Sequence, residues 1–275
     1  MSGRAGGLAL TIRAFPTLLK IGLAEAVAYR AEMIIWALTT TMPLVNLALW
    51  HTVAARGPIG GFGQPELIAY FLASFVVRQL TGSWVVWEMN GEIRSGRLSM
   101  RLLRPIHPLF AYMAENLAAL PMRMAMSLPV LVLAFFLAGA SRFNHDPAVW
   151  LMALAAVVGA WMIMFLSMSI MGSLAFFMES STSLVYVWQA LFFALSGYLF
   201  PLEFLQTHAP RVMNALHALP FYYQSGFPIE LILGHHGRTA ALHGLGVMAL
   251  YVAGLYGLLA LVWRAGIRRW NAFGA

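Results

Sequence analysis

Apolar positions in this chain fall into long runs separated by short polar connections. Runs of the length that crosses a bilayer as a helix, about 17 to 25 residues, occupy 33–54, 67–87, 117–139, 149–178, 184–204 and 240–263. The pattern predicts an all-α membrane protein with six transmembrane helices. The fourth run is longer than one span needs and is expected to tilt or project. Connections 56–65 (RGPIGGFGQP), 140–147 (ASRFNHDP) and the stretch after Pro201 are rich in turn residues and free of charge clusters, whereas 88–115 is dense in arginine and 179–183 is short and polar. Ahead of the first run, Leu8, Ile12, Phe15, Leu19, Leu23 and Ala26 recur at helical spacing, with Arg13 and Lys20 on another face. This predicts an amphipathic helix within residues 1–32 lying along the membrane surface. A helical extension of the first span is the alternative, and Pro16 either kinks the helix or begins a shorter one.

Composition agrees. Of 275 residues, 61% are hydrophobic and only 10% charged, against about a quarter charged in a soluble domain. Six spans with modest loops use up the length, so residues 1–275 are expected to form one membrane domain. Zero cysteine excludes disulfides, thiolate catalysis and Cys-ligated metals. Charges at Arg4, Arg13, Lys20, Glu25, Arg30 and Glu32 interrupt any signal-peptide core, so the N-terminus is expected to be retained.

The net charge of +7 gains meaning from its distribution. With both termini on one face, that face holds Arg4, Arg13, Lys20, Arg30, Arg94, Arg97, Arg101, Arg104, Arg264, Arg268 and Arg269, and the other holds Arg56, Arg142, Arg211 and Arg238. Eleven against four places both termini in the cytoplasm by the positive-inside rule. Because these cations are split among short segments, nucleic-acid binding is not expected. No internal repeat supports an inverted-repeat carrier.

The loop of residues 88–116 is the most structured polar segment. Gly91 and Gly96 can start and stop a short helix or turn, while Arg104-Pro105 and His107-Pro108 disfavour helix at the residue before each proline. Leu98, Leu102 and Leu103 alternate with arginines, predicting a short helix with an apolar and a basic side, able to dock in a groove of a soluble partner. A solvated loop that only enforces orientation is the plainer reading. Glu88, Glu92 and Glu115 are available to pair with its arginines. Arg123 lies close enough to a membrane face to snorkel, but Arg78 falls near the middle of its span, where a charge faces protein or water. Two roles stand for it: lining a pathway for an anionic or phosphate-bearing substrate, or hydrogen bonding to neighbours such as Gln189 or to a subunit partner. Beyond Pro201, Val212, Leu216 and Leu219 share a helical face closed by Pro220. The Phe221, Tyr222, Tyr223 cluster matches the aromatic pattern of a membrane interface, so 201–239 reads as an outer loop with short helices, or as a loop merely anchored by aromatics.

Enzyme chemistry finds little support. Ser196-Gly197 with His243 invites an intramembrane-protease reading, but position 194 is Ala194, not the glycine of a GxSG signature. The histidines near the outer face lack an HExxH pattern or paired carboxylates, so no metal site is expected. The methionines and tryptophans are scattered through the spans as packing and lipid-facing residues.

The stretches GEIRSGRLSMRLLRPIHP and SGYLFPLEFLQTHAPRVMNALHALPFYYQSGFPIELILG, together with the order from interfacial helix through six spans to the basic tail WRAGIRRW, resemble permease subunits of ABC transporters of the ABC-2 type, the small six-span bacterial exporters. The resemblance covers nearly the whole chain and implies an ABC-2, type V exporter-like architecture. It implies that Gly91, Glu92, Ile93, Arg94, Gly96, Arg97, Leu98, Arg101, Leu102, Arg104 and Pro105 form the loop that couples to an ATPase. It also implies an outer gate at Phe200, Pro201, Pro220, Phe221, Tyr222 and Tyr223. Gln206 departs from the proline expected after Leu205. The sole lysine, Lys20, stands between Leu19 and Ile21 and so belongs to no phosphate-binding loop. ATP and magnesium are therefore expected in a separate ATP-binding subunit, with no cofactor in this chain. The other expected partners are a second copy or a paralogous permease, and the lipid of the inner membrane. An ATP-independent secondary transporter or channel is the alternative, followed by an intramembrane hydrolase.

Overall fold

A computed structural model describes residues 14–24, 27–28, 35, 41–179, 181–206 and 209–273. Most of the predicted interfacial segment lies outside these, but Ala14–Ala24 is helical (α1). Its Gly22 is buried, and a methyl there would meet Ala118 Cβ at 2.8 Å.

Helices follow the apolar runs, with two informative breaks. Met42–Ala54 (α2) is followed by Gln64–Thr81 (α3), at whose start Glu66 Oε2 accepts from the Gly63 amide at 3.1 Å. The second run does not continue straight to residue 87. At Gly82 the backbone is extended, and the helix restarts as Val85–Arg94 (α4). Gly91 therefore sits inside a helix rather than at its start, while Gly96, at φ +76°, does provide the predicted stop. Leu98–Leu102 (α5) and Pro108–Ala118 (α6) flank the proline-punctuated turn; the His107 ring accepts a hydrogen bond from the Leu109 amide as the N-cap of α6. Leu120–Ala138 (α7) and Pro147–Ser173 (α8) follow.

The fifth run is cut short. Thr182–Leu195 (α9) holds 14 residues, about 21 Å at 1.5 Å per residue, against a hydrocarbon core of about 30 Å. It ends where Gly197 turns to φ +82°. Side chains from distant helices take up the carbonyls released there. The Tyr70 hydroxyl donates to Gly197 O at 2.7 Å, Asn46 Nδ2 to Tyr198 O at 3.1 Å and Trp50 Nε1 to Leu199 O at 2.9 Å. An unpaired carbonyl in an apolar medium costs several kcal/mol, which accounts for the buried Asn46 on α2.

Beyond the break come Pro210–His217 (α10), Pro220–Gln224 (α11) and Gly226–Ile232 (α12). Pro220 opens α11 rather than merely closing the helix before it. Of the predicted face, Leu216 is buried but Val212 is exposed. The basic tail is no separate segment, because Arg238–Phe273 (α13) is one helix of 36 residues. Among the described residues, Pro147–Phe176 and Arg238–Trp270 are long and apolar enough to cross a membrane by length and composition.

α8 is the spine of the all-α fold. Its first half packs with α3 and α12 around Tyr70, Phe71, Phe227 and Ile229. Its second half packs with α4 and α6 around Met89, Tyr112 and Phe165. Ala153, Ala156 and Ala160 are buried on one side of α8, and such small residues let helices approach closely where lipid offers no hydrophobic drive to associate. Asp146, the only aspartate, caps α8 by accepting from the Ala148 amide at 2.9 Å. It also accepts from Arg238 Nε at 2.6 Å and Nη2 at 2.9 Å, at the first residue of α13. This ties the two longest helices at the end that carries α10–α12. The basic hairpin of residues 88–116 sits at the opposite end.

Candidate functional site

The hairpin is built around one arginine. Arg101, at the end of α5, projects back between α4 and α6, with only 13% of its side chain exposed. Its Nε donates to Glu92 Oε2 at 2.7 Å, Nη1 to Glu115 Oε1 at 2.7 Å and Nη2 to Glu88 Oε1 at 2.8 Å. Tyr112 closes the cage: its hydroxyl donates to Glu92 Oε2 at 2.6 Å, and its ring lies 4.2 Å from the guanidinium carbon. A planar fork with five donors suits this convergence of carboxylates; a lysine does not. Burial opposes the charge, but the hydrogen bonds to Glu115 and Glu92 outweigh it and hold the Arg101 pKa above its ordinary value.

Three carboxylates around one cation carry excess negative charge, and Glu88 absorbs part of it. Burial, followed by hydrogen bonding and repulsion from Glu115, raises its carboxyl to about 9. Glu88 is thus protonated at neutral pH. A carboxyl raised above its unfolded value stabilises when protonated, and that contribution is lost as pH rises through about 9. Hydrogen exchange in the hairpin is expected to accelerate from about pH 5 to about pH 9 beyond its intrinsic base dependence, and no further above that. Glu88→Gln is expected to remove that extra acceleration while leaving exchange near pH 5 unchanged.

The structure divides the predicted loop residues into two sets. Ile93, Leu98 and Arg101 turn inward, and Glu92 faces Arg101. Gly91, Arg94, Arg97, Leu102, Arg104 and Pro105 are exposed, Gly96 is half-buried, and Arg97 Nε donates to Ser95 Oγ at 3.1 Å. The predicted apolar and basic sides are therefore not separate. Met100, at 65% exposure, and Leu103, at 81%, stand beside Arg97 and Arg104 on one outward knob, with Leu98 and Arg101 as its root. Spacing alone did not single out Met100.

Arg123 does not snorkel. Buried against the break between α3 and α4, its Nη1 donates to Gly82 O at 2.7 Å and to Gln79 O at 3.3 Å, with the guanidinium 4.3 Å from the Trp84 ring. Asn116 Nδ2 donates to Ser83 Oγ in the same break. Arg78 lies on α3 with its guanidinium 5.1 Å from the Phe192 ring and hydrogen-bonded to the Tyr198 hydroxyl. Those neighbours take the place expected of Gln189, and Nη1 of Arg78 is buried without a hydrogen-bond partner.

At the other end, Phe200 stacks on Phe204 beside Trp50, and Pro201 is buried. Pro220 and Phe221 are half-buried, while Tyr222 and Tyr223 are buried within α11 rather than displayed as a belt. A cavity of about 190 Å³ opens here between Phe62, Glu66, Ala69, Arg142, Leu233 and His235. Among the described residues, no group of three or more His, Cys, Asp or Glu side chains is placed to hold a metal ion.

An outward knob fixed by a buried charge cage thus stands at one end of the all-α bundle, with a cap of short helices at the other. Compared with known proteins, the chain matches a family model described as ABC-2 family transporter protein over residues 36–274. No curated protein matches it.

Proposed function

Because the chain belongs to the ABC-2 family of transporter proteins, and is thus a membrane component of an ABC transporter, we propose that it is a six-span permease that exports its substrate across the inner membrane. In this reading residues 1–275 form a single domain with both termini in the cytoplasm. ATP and magnesium are bound by a separate ATP-binding subunit, and a second permease copy or paralogue completes the pathway. The carrying observation is the knob. Met100, Leu102 and Leu103 are exposed among Arg94, Arg97 and Arg104, an apolar and cationic surface suited to an acidic-rimmed groove.

In this mechanism nucleotide-driven closure of the ATP-binding subunits pushes on the knob. Arg101 passes the push to α4 and α6 as a rigid unit, and the break at 82–84 carries it to α3 and Arg78. Rocking of packed helices between two arrangements is an established form of switching. The cap around Phe200, Pro201 and Pro220–Tyr223 forms the outer gate.

The test is purification of the full chain from its native membranes. An ATP-binding subunit is expected to copurify with it in stoichiometric amount and to hydrolyse ATP. Leu103→Asp combined with Arg104→Glu is expected to weaken that association by about 30-fold, the effect of losing an interface anchor worth about 2 kcal/mol. Nucleotide-independent transport by the isolated chain in vesicles would instead favour a secondary transporter.

A further inference from the structure

The cap holds a concentration of buried ionisable groups that the coupling mechanism does not use. Glu230, on α12, is 2% exposed. Its Oε2 accepts from the Tyr222 hydroxyl at 2.5 Å and lies 2.8 Å from His236 Nε2, whereas its Oε1 is buried with no hydrogen-bond partner. Glu203, on the 3₁₀ turn Leu202–Leu205, pairs through Oε1 with His235 Nδ1 at 3.0 Å, and its Oε2 is likewise buried and unpartnered. His217, from α10, stacks on Tyr222 with ring centroids 4.3 Å apart and leaves Nε2 unpartnered. Tyr70 from α3 and Tyr223 from α11 also face this cluster, and the Glu66–Arg142 ion pair lines the cavity beside His235.

We propose that this cluster is a proton-binding latch: protons held by His235 against Glu203 and by Glu230 beside Tyr222 and His236 hold the short-helix cap shut, and their release loosens it. The two pairs fasten the 3₁₀ turn and α12 to the loop at 235–236, so each proton acts where elements join. At Glu230 the buried Oε1 has no donor to stabilise a negative charge, which favours the protonated carboxyl.

The titrations of His235 and Glu230 carry the sign this requires. The hydrogen bond it donates to the Glu203 carboxylate raises His235, whose contribution is therefore present when protonated and lost as pH rises through its raised value. Burial and repulsion from Glu203 raise Glu230 to about 6, so its contribution is lost as pH rises from below 5 to above 6. Two groups act the other way. Burial lowers His217. At Glu203 burial acts upward, but the hydrogen bond from His235 outweighs it and leaves the carboxyl below its usual range. Both of these contributions fade as pH falls, so closure is strongest above the range where Glu203 and His217 take up protons and below the range where His235 releases its own. Only the assignment of the cap to the outer face, and hence to external protons, rests on the proposed function.

Because the sequence has no cysteine, a single engineered thiol reports cleanly. The full chain in lipid nanodiscs, carrying either Leu202→Cys in the buried turn or Arg56→Cys at an exposed control site, is reacted with a maleimide from pH 5.5 to 8.5. The ratio of the two rates cancels the thiol's own titration. It is expected to rise about three- to tenfold from pH 6 to 8.5, on the scale set by one proton's pKa shift, and to flatten with His235→Gln and Glu230→Gln together. A flat ratio in the chain with native His235 and Glu230 overturns the latch, as does a slope that survives the double substitution. If the double variant does not fold, the first profile decides alone. Labelling of Leu202→Cys in intact cells tests sidedness separately: reaction only from the cytosol overturns the topology while leaving the latch standing.

Discussion

Replacing Arg101 by methionine is expected to open the basic hairpin about a hundredfold more often than in the unsubstituted chain, read as hydrogen exchange across 88–116. Arg101 supplies the one cation within a cage of Glu88, Glu92 and Glu115, and none of the four side chains is more than 29% exposed. Removing one member of such a buried set costs about 3–5 kcal/mol, because the remaining charges lose their partner. Much of the cost falls on the hairpin, which should become sensitive to trypsin at Arg94 and Arg97, whereas the Arg104–Pro105 bond resists cleavage. Arg97→Glu provides the contrast. Exposed and bonded only locally to Ser95, it should leave exchange unchanged while weakening association with the ATP-binding subunit. The two arginines, four residues apart, thus separate holding the knob from presenting it. Equal exchange in Arg101→Met and Arg97→Glu would show that the cage does not hold the hairpin.

Arg123→Met is the second large effect, expected at about 3 kcal/mol against unfolding in mixed micelles. The guanidinium serves the Gly82 and Gln79 carbonyls and covers Trp84. An unsatisfied buried carbonyl costs about 1–3 kcal/mol, and a desolvated cation–π contact adds about 1–2. Arg123→Lys should recover the charge and, because one nitrogen serves both carbonyls, the hydrogen bonds as well, but only part of the stability, since an ammonium cannot lie flat on an indole. Exchange should accelerate first in residues 79–86. An unchanged denaturation midpoint would mean that Asn116 and Ser83 hold the break by themselves.

The long helices were legible because hydropathy is a local property. The runs at 117–139, 149–178 and 240–263 became α7, α8 and α13, and the family match confirms the resemblance carried by the loop and cap stretches. Proline and glycine were equally readable at Gly96, Pro105 and Pro108, where each acts on its own backbone. The two breaks were not. Nothing between Thr81 and Val85 is strongly helix-breaking apart from Gly82, and the side chain that makes the interruption tolerable, Arg123, is 41 residues away. The end of α9 likewise depends on Asn46, Trp50 and Tyr70, all more than 120 residues distant. Alternation in the loop suggested a helix but not its rotation. An isolated turn of Leu98–Leu102 gives no reason for Arg101 to face inward; the carboxylates of α4 and α6 supply it.

The aspartate tie at the head of α8 and α13 has a mechanical consequence. Both helices are fastened where Asp146 holds Arg238 and the Ala148 amide. Farther along they meet through apolar side chains, such as Met248 against Gly159 and Phe176 against Gly266. Sliding one past the other would tear the ionic fastening, whereas fanning apart at the far end leaves it whole. Any separation of the pair is therefore expected first at its far end, beside the knob.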